Sequence, residues 1–171
     1  MTLLYLLDAN TLIDANRDYY GINQVKEYWD WLIYLGEKSK VKIPIEIYEE
    51  IIEGKSDILT LWAKRIQTKN ALLLDEEVDI SHVREVTSLG YAMDLNDIEV
   101  ENLGKDPFLI AYAMADPGNR ILVTTENSRP SAKRQNKKIP DVAKKFNIRV
   151  INPFKFGHDL GFRTDWYHQI Y

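Results

Sequence analysis

Two stretches decide the fold: Leu-Leu-Tyr-Leu-Leu at residues 3–7, followed directly by Asp8, and Ile-Leu-Val-Thr-Thr at residues 121–125, followed by Glu126. Their apolar residues are continuous rather than alternating, a pattern typical of strands buried on both faces of a parallel sheet. Two shorter strand candidates lie at residues 41–43 and 148–151. Strands alternating with helices predict an α/β fold, with a mostly parallel central sheet flanked by helices in three α/β/α layers.

Helical signals fill the segments between the predicted strands. Apolar residues recur at helical spacing over residues 22–37. A second helix is predicted from Pro44, because proline is tolerated at the first position of a helix. Asp57 and Asp106 are predicted to be N-caps, and Pro107 strengthens the second of these helix starts.

Composition narrows the class of protein. The 171 residues suit one domain, and we expect residues 1–171 to form it, with 153–171 as an aromatic, helical C-terminal extension. The absence of cysteine excludes disulfides, thiolate zinc sites and cysteine nucleophiles. No apolar run approaches the ~20 residues that span a bilayer, and no signal peptide is recognisable. The sequence therefore predicts a soluble, cytoplasmic protein without a membrane partner.

Four acidic residues are candidates for a common site. Asp8 and Glu126 each follow a buried strand, so they project from the carboxyl edge of the sheet, where parallel α/β folds bind ligands. Asp106 begins the helix that leads into the second of these strands, and Glu50 lies near the end of the helix after residues 41–43. Each acid also has a purely structural explanation as a helix cap or a solvated charge.

Carboxylates held close together repel one another unless a cation lies among them or one of them is protonated. Mg²⁺ and Mn²⁺ prefer such oxygen ligands, and they activate water and stabilise phosphoryl transition states. An all-carboxylate site without His or Cys therefore indicates hydrolysis of phosphate esters. A phosphatase with Asp8 as nucleophile is the least favoured version, because residue 10, where a second acid is usual, is Asn10.

Four motifs, in order along the chain, resemble those of the PIN domain, the nuclease fold of VapC-type toxins. They are LLDANTLID (6–14), IPIEIYEEI (43–51), KDPFLIAYAM (105–114) and ILVTTE (121–126). The resemblance covers about residues 3–151. It implies a ribonuclease that depends on Mg²⁺ or Mn²⁺, the toxin of a type II toxin–antitoxin pair, which forms a homodimer and is inhibited by a cognate antitoxin.

The resemblance also assigns roles to individual residues. The catalytic, metal-binding acids of the family fall on Asp8, Glu50, Asp106 and Glu126, and Asn10 takes the polar position that supports the first acid. The last acid is Glu where Asp is commoner, and its extra methylene favours contact with the metal through water over direct coordination there. Glu46 shares a helix face with Glu50 and remains an alternative ligand. Residues 54–62 resemble a less-characterised PIN-like subgroup.

A basic segment follows the last acid. Residues 129–145 contain seven Lys or Arg residues and one acid, so they carry a net charge of +6, against −10 for the rest of the chain. A lysine-rich loop is usually only a solvated surface, but this one flanks the acids. We therefore expect it to contact RNA phosphates through Lys133, Arg134, Lys137 and Lys138.

Aromatic residues are concentrated in two places, the tail after residue 153 and the helix at 22–37. In that helix the aromatic side chains outnumber what one face can bury, and this predicts an exposed interface. The aromatic residues concerned are Tyr28, Trp29, Trp31 and Tyr34. For the tail, packing on the sheet or a contact with another subunit is favoured over stacking on bases. The alternative to a nuclease is a PIN-like domain that binds RNA or a protein without cutting it.

Overall fold

The computed structural model describes residues 2–54 and 57–170. Within these residues the strands are β1 (Leu4–Leu7), β2 (Val41–Lys42), β3 (Arg120–Val123) and β4 (Arg149–Ile151). They form one sheet in the order β2-β1-β3-β4, and every neighbouring pair is parallel. The prediction of an α/β fold with a parallel central sheet flanked by helices is confirmed.

Ten α-helices belong to the described residues, together with short π-helical and 3₁₀ turns. They are α1 (Ala9–Asp14), α2 (Lys26–Glu37), α3 (Ile45–Ile52), α4 (Ile58–Ala63), α5 (Ile66–Leu72), α6 (Ile80–Glu85), α7 (Asp97–Leu103), α8 (Asp106–Met114), α9 (Ile139–Lys145) and α10 (Pro153–Asp159). The π-helical turns are Ala15–Tyr19 and Val86–Tyr91, and the 3₁₀ turns are Arg134–Asn136 and Trp166–Gln169.

The core forms around the two central strands. Leu6 and Leu7 of β1 and Leu122 and Val123 of β3 are fully buried, because helices cover both faces of the sheet. This accounts for the continuous apolar runs in their sequences. α8 packs against β3 and also touches α3, α6 and α9, so most of its surface is apolar. It is the central helix of its layer.

The predicted aromatic interface on α2 is wrong. Tyr28, Trp29 and Trp31 are only 1–2% exposed. Phe162, from the C-terminal tail, packs on Tyr28 and Trp31 with ring centroids 5.2 and 5.0 Å away. Phe156 of α10 packs against Trp31 from the same tail. Helix α2 buries more than one face, because the C-terminal tail covers a second one.

Several helix boundaries differ from the sequence expectations. Asp57 caps α4 as predicted, since its side chain accepts a hydrogen bond of 2.9 Å from the amide of Thr60. Asp106, in contrast, is the first residue of α8, and Lys105 occupies the N-cap position. The predicted capping role of Asp106 is therefore wrong. Of the segment 54–62 that suggested a PIN-like subgroup, residues 55 and 56 lie outside the described residues.

The helices in the described part of the chain are too short or too polar to cross a membrane.

Candidate active site

The strand order creates a crevice at the carboxyl edge of the sheet. From β1 the chain reaches β2 on one side of β1, and later reaches β3 on the other side. Parallel α/β sheets bind ligands where the connections diverge in this way. Asp8 follows β1 directly, and Thr124 and Glu126 follow β3, so the crevice between these strands is bordered by acids.

Asp8 is buried at the base of this crevice, with only 4% of its surface exposed. Its amide donates to the carbonyl of Val123 (3.0 Å), and its Oδ2 accepts a hydrogen bond of 2.7 Å from the hydroxyl of Thr124. It precedes α1, yet its side chain makes no capping hydrogen bond to that helix. Helix capping therefore does not explain this acid.

The electrostatic environment disfavours the ionised form of Asp8. Burial is the main cause that raises its pKa, from 3.8 to about 6, and the charges of Glu50 and Glu126 raise it further. The hydrogen bond from Thr124 and, more weakly, the amide of Ala9 lower it. A positive charge placed near Asp8 would lower this pKa and stabilise the ionised carboxylate.

Asp106 experiences the same repulsion more strongly. Burial, followed by the charges of Asp8, Glu126 and Glu50, raises its pKa from 3.8 to about 8. The positive charge of Lys138 acts in the opposite direction. Because three other acids affect this carboxyl group, the structure brings all four predicted acids close enough to interact electrostatically.

Glu50 of α3 is the acid of its helix that belongs to this group. Although the residue as a whole is exposed, partial burial of its carboxyl group raises its pKa, and Lys105 opposes this. Glu46, the alternative, interacts instead with the side chain of Tyr112 and raises its pKa. Its charge is not among those that raise the pKa of Asp8 or Asp106. The contacts favour Glu50 over Glu46.

Glu126 is held by the start of α9. Its Oε2 accepts a hydrogen bond of 2.8 Å from the amide of Ile139, and its Oε1 lies 3.2 Å from the amino group of Lys138. A carboxylate at a helix N-terminus is stabilised by the free amides there. Glu126 thus has a structural role as well as a place beside the other acids.

Sequence reasoning missed Thr124 as a site residue. Its side chain is 1% exposed, and its hydroxyl donates to Asp8 and accepts a hydrogen bond of 3.1 Å from the amide of Glu126. It therefore ties the acid after β1 to the acid after β3. The sequence feature that could have indicated Thr124 is a hydroxyl residue at the end of an apolar strand, two positions before an acid.

Tyr91 is a second residue that the sequence did not indicate. It is 2% exposed, and burial together with the charges of Asp106, Glu126 and Asp8 raises its pKa well above the usual range. Within residues 2–54 and 57–170 its hydroxyl has no hydrogen-bond partner. Its hydroxyl is near enough to these acids to be affected by their charge, and it stays protonated and able to donate.

Asn10 lies exposed in the first turn of α1, two residues after Asp8.

The acids fit a hard divalent cation by their chemistry, since all four supply oxygen and their repulsion would be relieved by positive charge. The described part of the chain nevertheless contains no three acidic or histidine side chains arranged so that they could hold a metal ion. Glu126, held by α9, is the acid whose carboxylate is already satisfied. Metal binding at this site would therefore require side chains to move.

The basic loop divides into anchors and exposed cations. Arg134 bonds Glu99 through two nitrogens (2.6 and 2.7 Å) and Asp94 through a third (2.8 Å). Lys137 donates to the carbonyls of Gly90 and Tyr91. Two of the four predicted RNA contacts thus hold the loop against neighbouring elements, and Lys138 pairs with an acid of the site.

The remaining predicted contact, Lys133, is exposed, as are Arg129 and Lys144. Arg129 and Lys133 line a groove together with Asp106 and Glu126, so these two cations are open to solvent beside the acids. The basic residues of the loop, which looked equivalent in the sequence, thus fall into two groups: those that hold the loop in place and those that remain exposed.

The sequence matches the family described as a domain of unknown function, DUF4411, over residues 5–164. The chain belongs to the DUF4411 family. Among curated proteins, no sequence matches the chain.

The DUF4411 match extends beyond the segment that resembles a PIN domain. It includes all four acids, the basic loop, α10 and Phe162. Phe156 is fully buried and Phe162 packs on α2, so the tail contributes to the core of the DUF4411 domain.

Proposed function

We propose that this DUF4411 protein is a PIN-like, Mg²⁺- or Mn²⁺-dependent ribonuclease that hydrolyses RNA phosphodiester bonds. The observation that carries the proposal is the group of four carboxylates at the crevice between β1 and β3, where burial and then mutual repulsion raise the pKa of Asp8 and Asp106. A structural role alone does not account for a buried acid, Asp8, and a partly buried acid, Asp106, held beside two further carboxylates. Exposed cations on the adjacent loop add sites for phosphates.

Asp8 and Asp106 would be the principal metal ligands, with Glu50 and Glu126 completing the site directly or through water. A bound Mg²⁺ or Mn²⁺ supplies an activated water and stabilises an in-line phosphoryl transition state. Thr124 orients the carboxylate of Asp8 through its hydrogen bond. Arg129 and Lys133 would hold the phosphates on either side of the scissile bond.

The biological role is proposed from the PIN resemblance alone. It is that of a cytoplasmic toxin, dimeric and held inactive by a cognate antitoxin. The aromatic side chains of α2 no longer support the dimer, because three of them are buried within the protein.

The test is cleavage of a mixed RNA substrate in Mn²⁺ or Mg²⁺ by the wild type, Asp8→Asn and Asp106→Asn. Asp18→Asn is a matched control, since Asp18 pairs with Arg17 on an exposed surface. We expect cleavage by the wild type and the control, and loss of at least about a hundred-fold in the two site variants. Equal rates in Asp8→Asn and the wild type would refute the proposal.

A non-catalytic RNA- or protein-binding domain is the second candidate. The pairing of Glu126 with Lys138 and the amide of Ile139 favours it, because these contacts already satisfy one of the acids. Thermal unfolding with and without millimolar Mn²⁺ separates the two candidates. A ligand that binds the native state raises the melting temperature, so an unchanged value would support the non-catalytic domain.

A further inference from the structure

A polar groove of about 560 Å³ adjoins the acids. Asp106 and Glu126 form part of its wall, so it opens onto the crevice. Its far side is formed by the basic loop and by Asn102 of α7. The groove is thus in a position to take a nucleotide that neighbours a phosphate at the acids.

The groove is lined with side-chain amides as well as cations. Asn102, Gln135 and Asn136 contribute amides, while Arg129 and Lys133 contribute positive charge. The Oε1 atom of Gln135 is buried and accepts no hydrogen bond within the part of the chain that the structure describes. A buried acceptor without a donor costs free energy, so this amide is suited to a ligand that supplies the donor.

The loop that carries Gln135 is held in place before any ligand arrives. Arg134, its neighbour, is fixed to Glu99 and Asp94, and Lys137 is fixed to the carbonyls that end the turn at Val86–Tyr91. The amide of Arg129 bonds Asp141 of α9 (2.6 Å). Contacts on both sides of the 3₁₀ turn thus position Gln135, and a preorganised group loses less entropy when it binds.

We propose that this groove is a subsite for one unpaired nucleobase beside the scissile phosphate, and that Gln135 recognises the edge of that base. This subsite rests on the proposed ribonuclease function, which makes single-stranded RNA the ligand of the groove. Side-chain amides offer a donor beside an acceptor, which matches the donor–acceptor edges of bases. A groove that bound phosphate alone would need cations and would have no use for a buried amide acceptor.

Recognition of this kind predicts selectivity among bases. A paired contact between an amide and a base edge is worth about 1–3 kcal/mol of discrimination, which corresponds to roughly five- to hundred-fold in affinity. Arg129 and Lys133 would hold the flanking phosphates and add affinity without selectivity. Gln135 is therefore the residue on which base preference should depend.

The experiment measures binding of fluorescent single-stranded RNA hexamers of A, C or U by anisotropy in EDTA, so that the RNA stays intact. The proteins are the wild type, Gln135→Leu, Gln135→Glu and, as a matched control, Gln67→Leu. Gln67 lines grooves beside α2 and α5, away from the acids. Circular dichroism melting checks that each variant is folded, and Gln135→Glu retains the shape of the side chain if Gln135→Leu does not fold.

We expect the wild type and Gln67→Leu to bind the three hexamers with affinities that differ at least about five-fold between the best and the worst. Gln135→Leu should reduce this spread to about two-fold, and Gln135→Glu should change the order of preference, since a carboxylate only accepts. No preference in the wild type, or the same preference in every variant, would overturn the subsite. Base-selective binding by a protein that shows no metal-dependent cleavage would refute the ribonuclease proposal but support the subsite.

Discussion

One hydroxyl group, that of Thr124, links the ends of the two central strands. It donates to Asp8 and accepts from the amide of Glu126, while its side chain is buried. The buried carboxylate of Asp8 and the part-buried amide of Glu126 thus share one hydroxyl as a partner. Replacing that hydroxyl with a methyl group of similar size removes one hydrogen bond from each of them.

Thr124→Val should therefore destabilise the protein by about 1–3 kcal/mol, the cost of removing a hydrogen-bond partner from buried polar groups. Urea denaturation gives the free energy of unfolding. Thr124→Ser, which keeps the hydroxyl, is the control and should retain more of the stability. A valine variant as stable as the wild type would show that the hydroxyl contributes little.

The raised pKa values of Asp106 and Asp8 contribute to the pH dependence of the stability of the metal-free protein. Both values, about 8 and about 6, lie above the ordinary value of 3.8. The native protein therefore binds more protons than the unfolded chain between about pH 4 and pH 8. The contribution is complete below pH 4 and is lost as the pH rises through 6 and then 8.

In EDTA, the contribution of these acids to the free energy of unfolding should accordingly decrease from pH 5 to pH 9. Asp106→Asn removes the group with the highest pKa, so its urea-denaturation midpoint should fall less over this range than that of the wild type. Asp18→Asn should keep the wild-type dependence. Parallel pH profiles for Asp106→Asn and the wild type would contradict the assigned pKa shift.

Helix α10 shows how one element closes the core. Phe156 is fully buried and packs on Tyr5 and Trp31, with ring centroids 5.5 and 5.4 Å away. Phe154, two residues earlier, is 60% exposed. The same residue type on the same helix thus occupies two opposite environments.

Phe156→Ala should lower the free energy of unfolding by about 3–5 kcal/mol, because it removes a large side chain from a close-packed site. Phe154→Ala is the matched control, and we expect it to cost less than about 1 kcal/mol. Urea denaturation measures both. Similar losses in the two variants would mean that α10 is not seated on the sheet as described.

Among the secondary-structure elements, local sequence signals predicted which strands and helices form better than they predicted what each element packs against. The strands, α3 and the cap at Asp57 follow from apolar runs, proline and capping chemistry, which act over a few residues. The buried state of the α2 aromatics and the position of Asp106 inside α8 do not follow from local signals. They depend on which distant segment covers the helix and on how the preceding loop approaches it.

For the molecule as a whole, charge distribution matters more than net charge. The chain carries a formal charge of −4, yet its basic segment carries +6 beside the acids. Within that segment, ion pairs and carbonyl contacts occupy Arg134, Lys137 and Lys138. Exposed cations such as Arg129 and Lys133 are the ones left to neutralise phosphates.

If the protein binds single-stranded RNA, the logarithm of its affinity should fall linearly with the logarithm of salt concentration. Each phosphate contact contributes about 0.7 to the slope, so Arg129→Gln and Lys133→Gln should each reduce it by about that amount. Anisotropy titrations at several salt concentrations measure the slope. Lys64→Gln, on the exposed end of α4, should leave it unchanged, and equal slopes in all the variants would exclude this loop as the contact surface.

The sequence by itself determined the parallel α/β fold and the positions of the acids after its strands, because apolar periodicity and strand-to-acid order are local properties of the chain. Tertiary structure alone decided which of those groups act together. It placed Glu50 rather than Glu46 beside Asp8, joined Asp8 to Thr124 across 116 positions, and used Arg134 as an anchor rather than an open charge. These outcomes depend on contacts between residues far apart in the chain, whose burial and charge pairing exist only once the sheet and its covering helices have assembled.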